Sequence, residues 1–224
     1  MATQVGNWGG GAVWRVASGT ISSNAYFCEA DVLGGCVLID PGLDGHAIDA
    51  EMTARGVRPN HVFCTHGHFD HAGSAAYFQK KYGCQVFMHM ADERTLKMSN
   101  FLLMVLKVQQ KMELPEVSYV GDDFSIDVGG SRLTYLPAPG HTPGSAVIEF
   151  GSAWFTGDTI YARGVGLSSL PGGDTEMLKQ SILGLWDRLT VERLILPGHG
   201  DTATGTEVRS GNHALLKLLG LVEQ

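Results

Sequence analysis

An α/β fold, with sheets buried beneath helices, is what the 224-residue sequence predicts, and three observations lead there. Short apolar runs rich in β-branched and aromatic residues recur along the chain, most of them closed by glycine or proline. Segments with helical spacing of apolar residues alternate with those runs in both halves. No polar linker or low-complexity tract separates the halves, so residues 1–224 read as one domain. Composition agrees, because 44% of residues are hydrophobic, 17% are charged and 30 are glycine, the profile of a chain with a sizeable core and many tight turns.

In chain order, strands are expected at 12–17, 23–29, 36–40, 61–65, 85–89, 124–128, 132–137, 146–150, 153–156 and 193–196. Helices are expected at 45–55, 71–82, 91–112, 174–189 and 206–219. For 174–189 the reasons are specific: Asp174 is an N-cap residue type, and Met177, Ile182, Leu185 and Leu189 keep near-helical spacing behind it. Leu215, Leu218 and Leu219 do the same for 206–219. The run 101–106 would be apolar around a whole helical circumference, which leaves three uses for it: a core helix, a dimer contact, or a lid within 91–114.

Net charge is −7 and no basic run exceeds Lys80-Lys81, so nucleic acid is not an expected partner. The first eleven residues carry neither a basic region nor an apolar stretch, and no apolar run is long enough to span a bilayer. A cytoplasmic protein without a membrane partner is the expectation. Cys28, Cys36, Cys64 and Cys84 show no CxxC spacing and sit in apolar stretches, which favours reduced, buried thiols.

Nine histidines in so lightly charged a chain call for a reason. Five of them fall in motifs. Thr65-His66-Gly67-His68-Phe69-Asp70-His71 follows an expected strand; alternate residues of an extended turn let His66 and His68 chelate one ion, and the turn into a helix lets Asp70 and His71 face a second. Imidazole nitrogen and carboxylate oxygen suit borderline ions such as zinc. Three further ligand types follow strands at glycine-bearing loops: His141 in Pro139-Gly140-His141-Thr142-Pro143-Gly144, Asp158 after 153–156, and His199 in Pro197-Gly198-His199-Gly200. Asp40, in the turn Ile39-Asp40-Pro41-Gly42, is a candidate to fix a ligand histidine. His46, His61, His89 and His213 lie outside the motifs and read as surface or packing residues.

With that ordered motif set the chain resembles the metallo-β-lactamase-fold hydrolases over most of its length. The resemblance implies an αββα sandwich of two mixed sheets flanked by helices. It also implies two divalent ions, zinc first with iron or manganese as alternatives, one held by His66, His68 and His141 and the other by Asp70, His71 and His199, with Asp158 between them. The stretch from Ala153 to Gly173, together with Leu38-Ile39-Asp40-Pro41-Gly42, is most similar to the glyoxalase II group of thioester hydrolases. That similarity implies hydrolysis of an acyl thioester through a metal-bridging hydroxide, with Asp70 and Asp158 as catalytic residues.

Alternatives within the superfamily are a lactonase or esterase acting on acyl lactones, and a mononuclear-iron persulfide dioxygenase using His66, His141 and Asp158. β-Lactamase activity is disfavoured, because the class B enzymes do not place a bridging aspartate at Asp158. Glutathione-binding members carry a basic residue shortly after the Gly-x-Gly step, where this chain has Leu167-Ser168-Ser169. Leu167, with Phe101 and Met104 of the apolar run, is therefore a candidate contact for a small, apolar acyl substrate.

Overall fold

Apolar runs without alternation, such as Cys36-Val37-Leu38-Ile39, can be buried only if the sheet is covered on both faces. In the computed structural model, which describes residues 1–19, 21–30 and 35–222, they are. The first sheet runs β1 (Thr3–Asn7), β2 (Ala12–Ser18), β3 (Ser23–Glu29), β4 (Gly35–Ile39), β5 (Arg58–Phe63), β6 (Gln85–His89) and β7 (Val117–Val120) in sequential order. Its first four strands are antiparallel neighbours, and β4 to β7 are parallel. α1 (Gly45–Thr53), α2 (Phe69–Ala72), α3 (Ala75–Tyr82) and α4 (Glu93–Val105) belong to this half.

The second sheet contains β8 (Ser125–Val128), β9 (Ser131–Pro137), β10 (Ala146–Phe150), β11 (Ala153–Gly157), β12 (Leu194–Pro197) and β13 (Ala203–Thr204), in the order β13-β12-β11-β10-β9-β8. Only β11 and β12 pair in parallel. Its helices are α5 (Thr175–Leu185), α6 (Gly205–Gly211) and α7 (His213–Leu219).

Side-chain alternation sorts the strands into layers. Val37, Ile39 and Phe63 meet Ile148, Phe150, Phe155 and Leu196 between the sheets. Cys36, Leu38, Val62 and Cys64 point the other way, onto Ile48, Met52, Phe78 and Leu96 of the first helical layer. On the opposite side Val147, Trp154 and Ile195 pack under Leu178, Ile182, Val208 and Leu215. Four layers, αββα, result. The four cysteines are buried in them, with no disulfide among the described residues.

Several boundaries differ from the sequence reading, each for a local reason. β1 and β7 were not expected: both are edge strands whose half-exposed residues carry no apolar alternation. β5 begins at Arg58 and stops at Phe63, because the Asp40 carboxylate takes the Thr65 N–H and hydroxyl, each at 2.7 Å. The helix expected at 71–82 is two, since the chain breaks at Gly73-Ser74. The one expected at 91–112 ends by Leu106, where Lys107 takes a positive φ of 56°. Asn100 then clamps the returning chain, bonding the Met112 carbonyl and N–H at 3.0 Å each. The helix expected at 206–219 is divided at Asn212, whose side chain caps α7 and holds the loop at Gly164. Asp174 does cap α5, accepting from the Met177 N–H at 2.9 Å. Among the described residues no helix is long and apolar enough to cross a membrane.

The strand directions decide where loops gather. β4 and β5 are parallel, β11 and β12 are parallel, and β9 shares the direction of β11 because both pair antiparallel with β10. Their C-terminal ends meet at one end of the sandwich. There the halves are joined by Asn24 N–H to Gly198 O at 2.7 Å, Tyr26 hydroxyl to Pro197 O at 2.7 Å and Ala146 N–H to Thr65 O at 2.9 Å.

Phe155 fills the space between the sheets, edge-on to Tyr26 at 5.4 Å. Phe155→Ala is expected to cost about 3–5 kcal/mol in denaturant unfolding. Leu183→Ala, on the exposed side of α5, should change stability by less than about 0.5 kcal/mol.

Candidate metal centre

The loops after β4, β5, β9, β11 and β12 bring Asp40, the His66–His71 turn, His141, Asp158 and His199 together. Three groups of ligand-type atoms lie within 4.8 Å of one another: His66 with His68 and His141, His66 with His71 and Asp158, and Asp70 with His71 and His199. His68 Nδ1 stands 3.0 Å from His141 Nε2. His199 Nε2 stands 3.2 Å from Asp70 Oδ2.

Asp158 sits between the outer groups. Its Oδ1 is 3.3 Å from His71 Nε2, and its Oδ2 is 3.5 Å from His141 Nε2 and 3.6 Å from His199 Nε2. The motif residues separated in sequence by up to 133 positions are thus one cluster, in which His66, His71 and Asp158 each belong to a group that spans the two expected sets.

The electrostatics of the cluster call for cations. Burial, reinforced by neighbouring imidazoles, holds His66 well below its usual range and His68 at about 4, so both are neutral bases with a free lone pair. Burial would lower His71 as well, but the carboxylates of Asp158, Asp70 and Asp40 outweigh it and push that imidazole well up. Asp158 is held down by His71, His141 and His199 against a large burial effect, and Asp70 by His71 and His199.

Divalent ions fit these residues. His66 Nε2, His71 Nε2 and Asp158 Oδ1 are buried atoms without a hydrogen-bond partner among the described residues, an unusual and costly condition that coordination would remove. Gly198 keeps the space open: a Cβ there would stand 2.4 Å from both Asp158 Oδ1 and His71 Cε1. The ring nitrogens that face away are held in place. His71 Nδ1 meets Asp40 Oδ2 at 2.9 Å, His141 Nδ1 meets the Leu167 carbonyl at 2.5 Å, and His66 Nδ1 meets the Thr65 hydroxyl at 3.1 Å. Such outer contacts fix ring orientation and ligand basicity.

Asp40, the candidate to fix a ligand histidine, is in contact with His71. Its φ of 49° aims the carboxylate simultaneously at Thr65 and His71. Leu167 touches the cluster through its carbonyl, while its side chain is exposed. Phe101 and Met104 are more than half exposed towards the end of α4, about 8–12 Å along the helix from Leu96, which packs at Gly67. The other histidines have packing partners or exposure: His46 meets the Tyr77 ring, His61 the Phe63 and Phe87 rings, and His89 Nε2 bonds Asp122.

One residue at the centre went unread in the sequence. The half-buried Tyr161 is near enough to Asp158 to be held by its charge, and lies edge-on to His199 at 6.1 Å. Burial and the Asp158 charge push its phenol far up, so it keeps its proton. Its only sequence signal was an aromatic three residues after Asp158. Asn212, which bonds the Tyr161 carbonyl at 2.9 Å, holds that loop.

A four-layer αββα sandwich with imidazoles and carboxylates gathered at one end of its sheets defines a class of metal-dependent hydrolases. The chain belongs to the metallo-beta-lactamase superfamily, whose family description it matches over residues 18–199. It is 31% identical over 192 residues to the probable metallo-hydrolase YqgX of Bacillus subtilis, covering 83% of this chain and 89% of that one. It is 35% identical over 166 residues to a hydroxyacylglutathione hydrolase of Anaeromyxobacter dehalogenans, covering 74% of this chain but 57% of that enzyme. Among solved structures, TTHA1623 in a di-iron-bound form superposes with a TM-score of 0.79 at 28% identity, over 89% of this chain and 98% of the other. The BLEG-1 B3 metallo-beta-lactamase shares the fold with a TM-score of 0.83 at 24% identity, over 91% and 99% of the two chains.

Asp40→Asn keeps a side chain that tolerates the same backbone but removes the charge behind His71. Metal affinity of the group containing His71 is expected to fall about 10–100-fold, measured by titration of metal-free protein.

Proposed function

We propose that the protein hydrolyses an acyl thioester with the help of two divalent ions. The observation that carries this reading is the place of Asp158 between two ligand groups, each complete without it. Ions so held act as Lewis acids toward a carbonyl and lower the pKa of water from 15.7 to about 7. Zinc is the metal proposed, with manganese or iron as alternatives; TTHA1623, similar over most of its length, was crystallised with two irons.

The chain's own residues supply the rest. His66 and His68 stay neutral, His71 is oriented by Asp40, and Asp70 is placed beside His199. We assign Asp70 and Asp158 to orienting the attacking water. The Tyr161 phenol keeps its proton beside Asp158, a donor for the oxygen on which charge develops. A thiolate, from a thiol of pKa about 8.5, leaves without a dedicated general acid. The likeness to a hydroxyacylglutathione hydrolase supports a thioester, and the exposed apolar side chain of Leu167, whose carbonyl meets His141, supports an apolar acyl group. Phe101 and Met104 of α4 are exposed as well, and we assign them to the acyl chain on the same ground. An acyl lactone is the second reading, favoured by Tyr161 itself, because its retained O–H can donate a hydrogen bond to an alkoxide leaving group, which a thiolate needs less.

Metal analysis coupled to a substrate panel of glutathione thioesters, other acyl thioesters, acyl lactones and a β-lactam tests the proposal. About two ions per chain and anaerobic thioester hydrolysis are expected. His66→Ala or Asp158→Ala should lower turnover by orders of magnitude with circular dichroism unchanged. Wild-type rates from either variant, or a single iron with oxygen uptake, would contradict it. In the Phe101→Ala, Met104→Ala double variant the KM for long-chain acyl substrates should rise while that for short ones holds; equal KM values across chain lengths would remove the α4 face from the substrate site.

A further inference from the structure

A carboxylate outside the metal motifs is buried to 0% exposure behind them. Asp92, just before α4, has no cation among the hydrogen-bond donors that satisfy it. Those donors come from two ligand loops and from α4 itself. Asp92 Oδ2 accepts from the Gly67 N–H at 2.6 Å and from the Thr142 hydroxyl at 2.9 Å; Oδ1 accepts from the Gly144 N–H at 2.8 Å and the Thr95 hydroxyl at 3.2 Å. Gly67 is the residue between His66 and His68, and Thr142 and Gly144 follow His141. One carboxylate therefore spans both loops that supply the group of three imidazoles.

Neighbouring contacts make the tie rigid. The Ser99 hydroxyl of α4 donates to the Gly67 carbonyl at 2.8 Å, so Asp92 and the middle of α4 together hold this peptide segment by both its N–H and its C=O. A Cβ on Gly67 would stand 2.7 Å from the Leu96 nitrogen, so the loop and the helix are already in contact. On the other loop the Ser145 hydroxyl lies 3.0 Å from the Thr142 N–H and 2.7 Å from the Thr142 hydroxyl, fixing the group that Asp92 receives.

We propose that Asp92 is a positioning residue: its carboxylate sets the separation between the His66–His68 loop and the His141 loop, and thereby the affinity of the three-imidazole group for its ion. The proposal rests on the metal-centre reading above and is independent of the substrate. Asp92→Asn preserves size but turns one acceptor into a donor facing backbone N–H or hydroxyl groups, so the two loops can no longer share it.

Metal-free wild-type and Asp92→Asn proteins are titrated with cobalt(II), followed by visible absorption, well below the melting temperature of either. Wild type should bind two equivalents. In Asp92→Asn one equivalent should weaken about 10-fold or more while the metal-free protein still melts cooperatively. The absorption lost should be that of the all-imidazole environment, whereas Asp40→Asn should weaken the other equivalent. If Asp92→Asn does not fold, Thr142→Val removes a single donor from the same carboxylate and should weaken the same equivalent several-fold. Two equivalents bound at wild-type affinity by Asp92→Asn, or by Thr142→Val in its place, would overturn the proposal and leave a carboxylate that only stabilises the fold. A wild-type protein that binds no cobalt would overturn the metal-centre reading itself, and this inference with it.

Discussion

Buried carboxylates and imidazoles are costly unless their charges and lone pairs are satisfied, and five buried ones, with the partly buried Asp70 and His199, share one end of this sandwich. Asp158 is where that constraint is sharpest. It faces three imidazoles from three different loops, and one of its oxygens has no hydrogen-bond partner. With Asp40 and Asp70 it surrounds His71 with negative charge, so the centre favours added positive charge. Much of the local backbone follows from serving this point: Asp40 in a left-handed conformation, β5 cut short at Phe63, and Gly198 left without a side chain.

The parts legible in the sequence were those whose signal is local. His66, His68, Asp70 and His71 lie within six positions, and the Pro-Gly-His steps at His141 and His199 mark loops after apolar strands. Asp40 was legible as a turn residue and a candidate partner for a histidine, and its carboxylate lies 2.9 Å from His71 Nδ1. The central strands were legible because residues buried on both faces leave continuous apolar runs. β1 and β7 were not, since an edge strand owes its pairing to a neighbour's backbone rather than to its own side chains.

Residues acting across the chain were silent. Tyr161 looks like any aromatic after a turn until the fold sets it against Asp158 and His199. Asp92 reads as a helix-start acid, yet its donors at Gly67 and Gly144 lie 25 and 52 residues away. Helix breaks at Gly73-Ser74 and Asn212 were hidden for the same reason: the apolar spacing continues through them, while tertiary hydrogen bonds decide the turn. The apolar run at 101–106 divides between uses. Leu103 is in the core and Phe101, Met104 and Val105 are exposed, so one stretch contributes both to packing and to surface.

Asp158 is proposed to be shared between two ions, and crystals of the metal-loaded protein measured at an absorption edge test that directly. Two anomalous peaks are predicted, one among His66, His68 and His141 and one among Asp70, His71 and His199, with an Asp158 carboxylate reaching both. A single peak at full metal loading, or two peaks with Asp158 turned away from them, would contradict it.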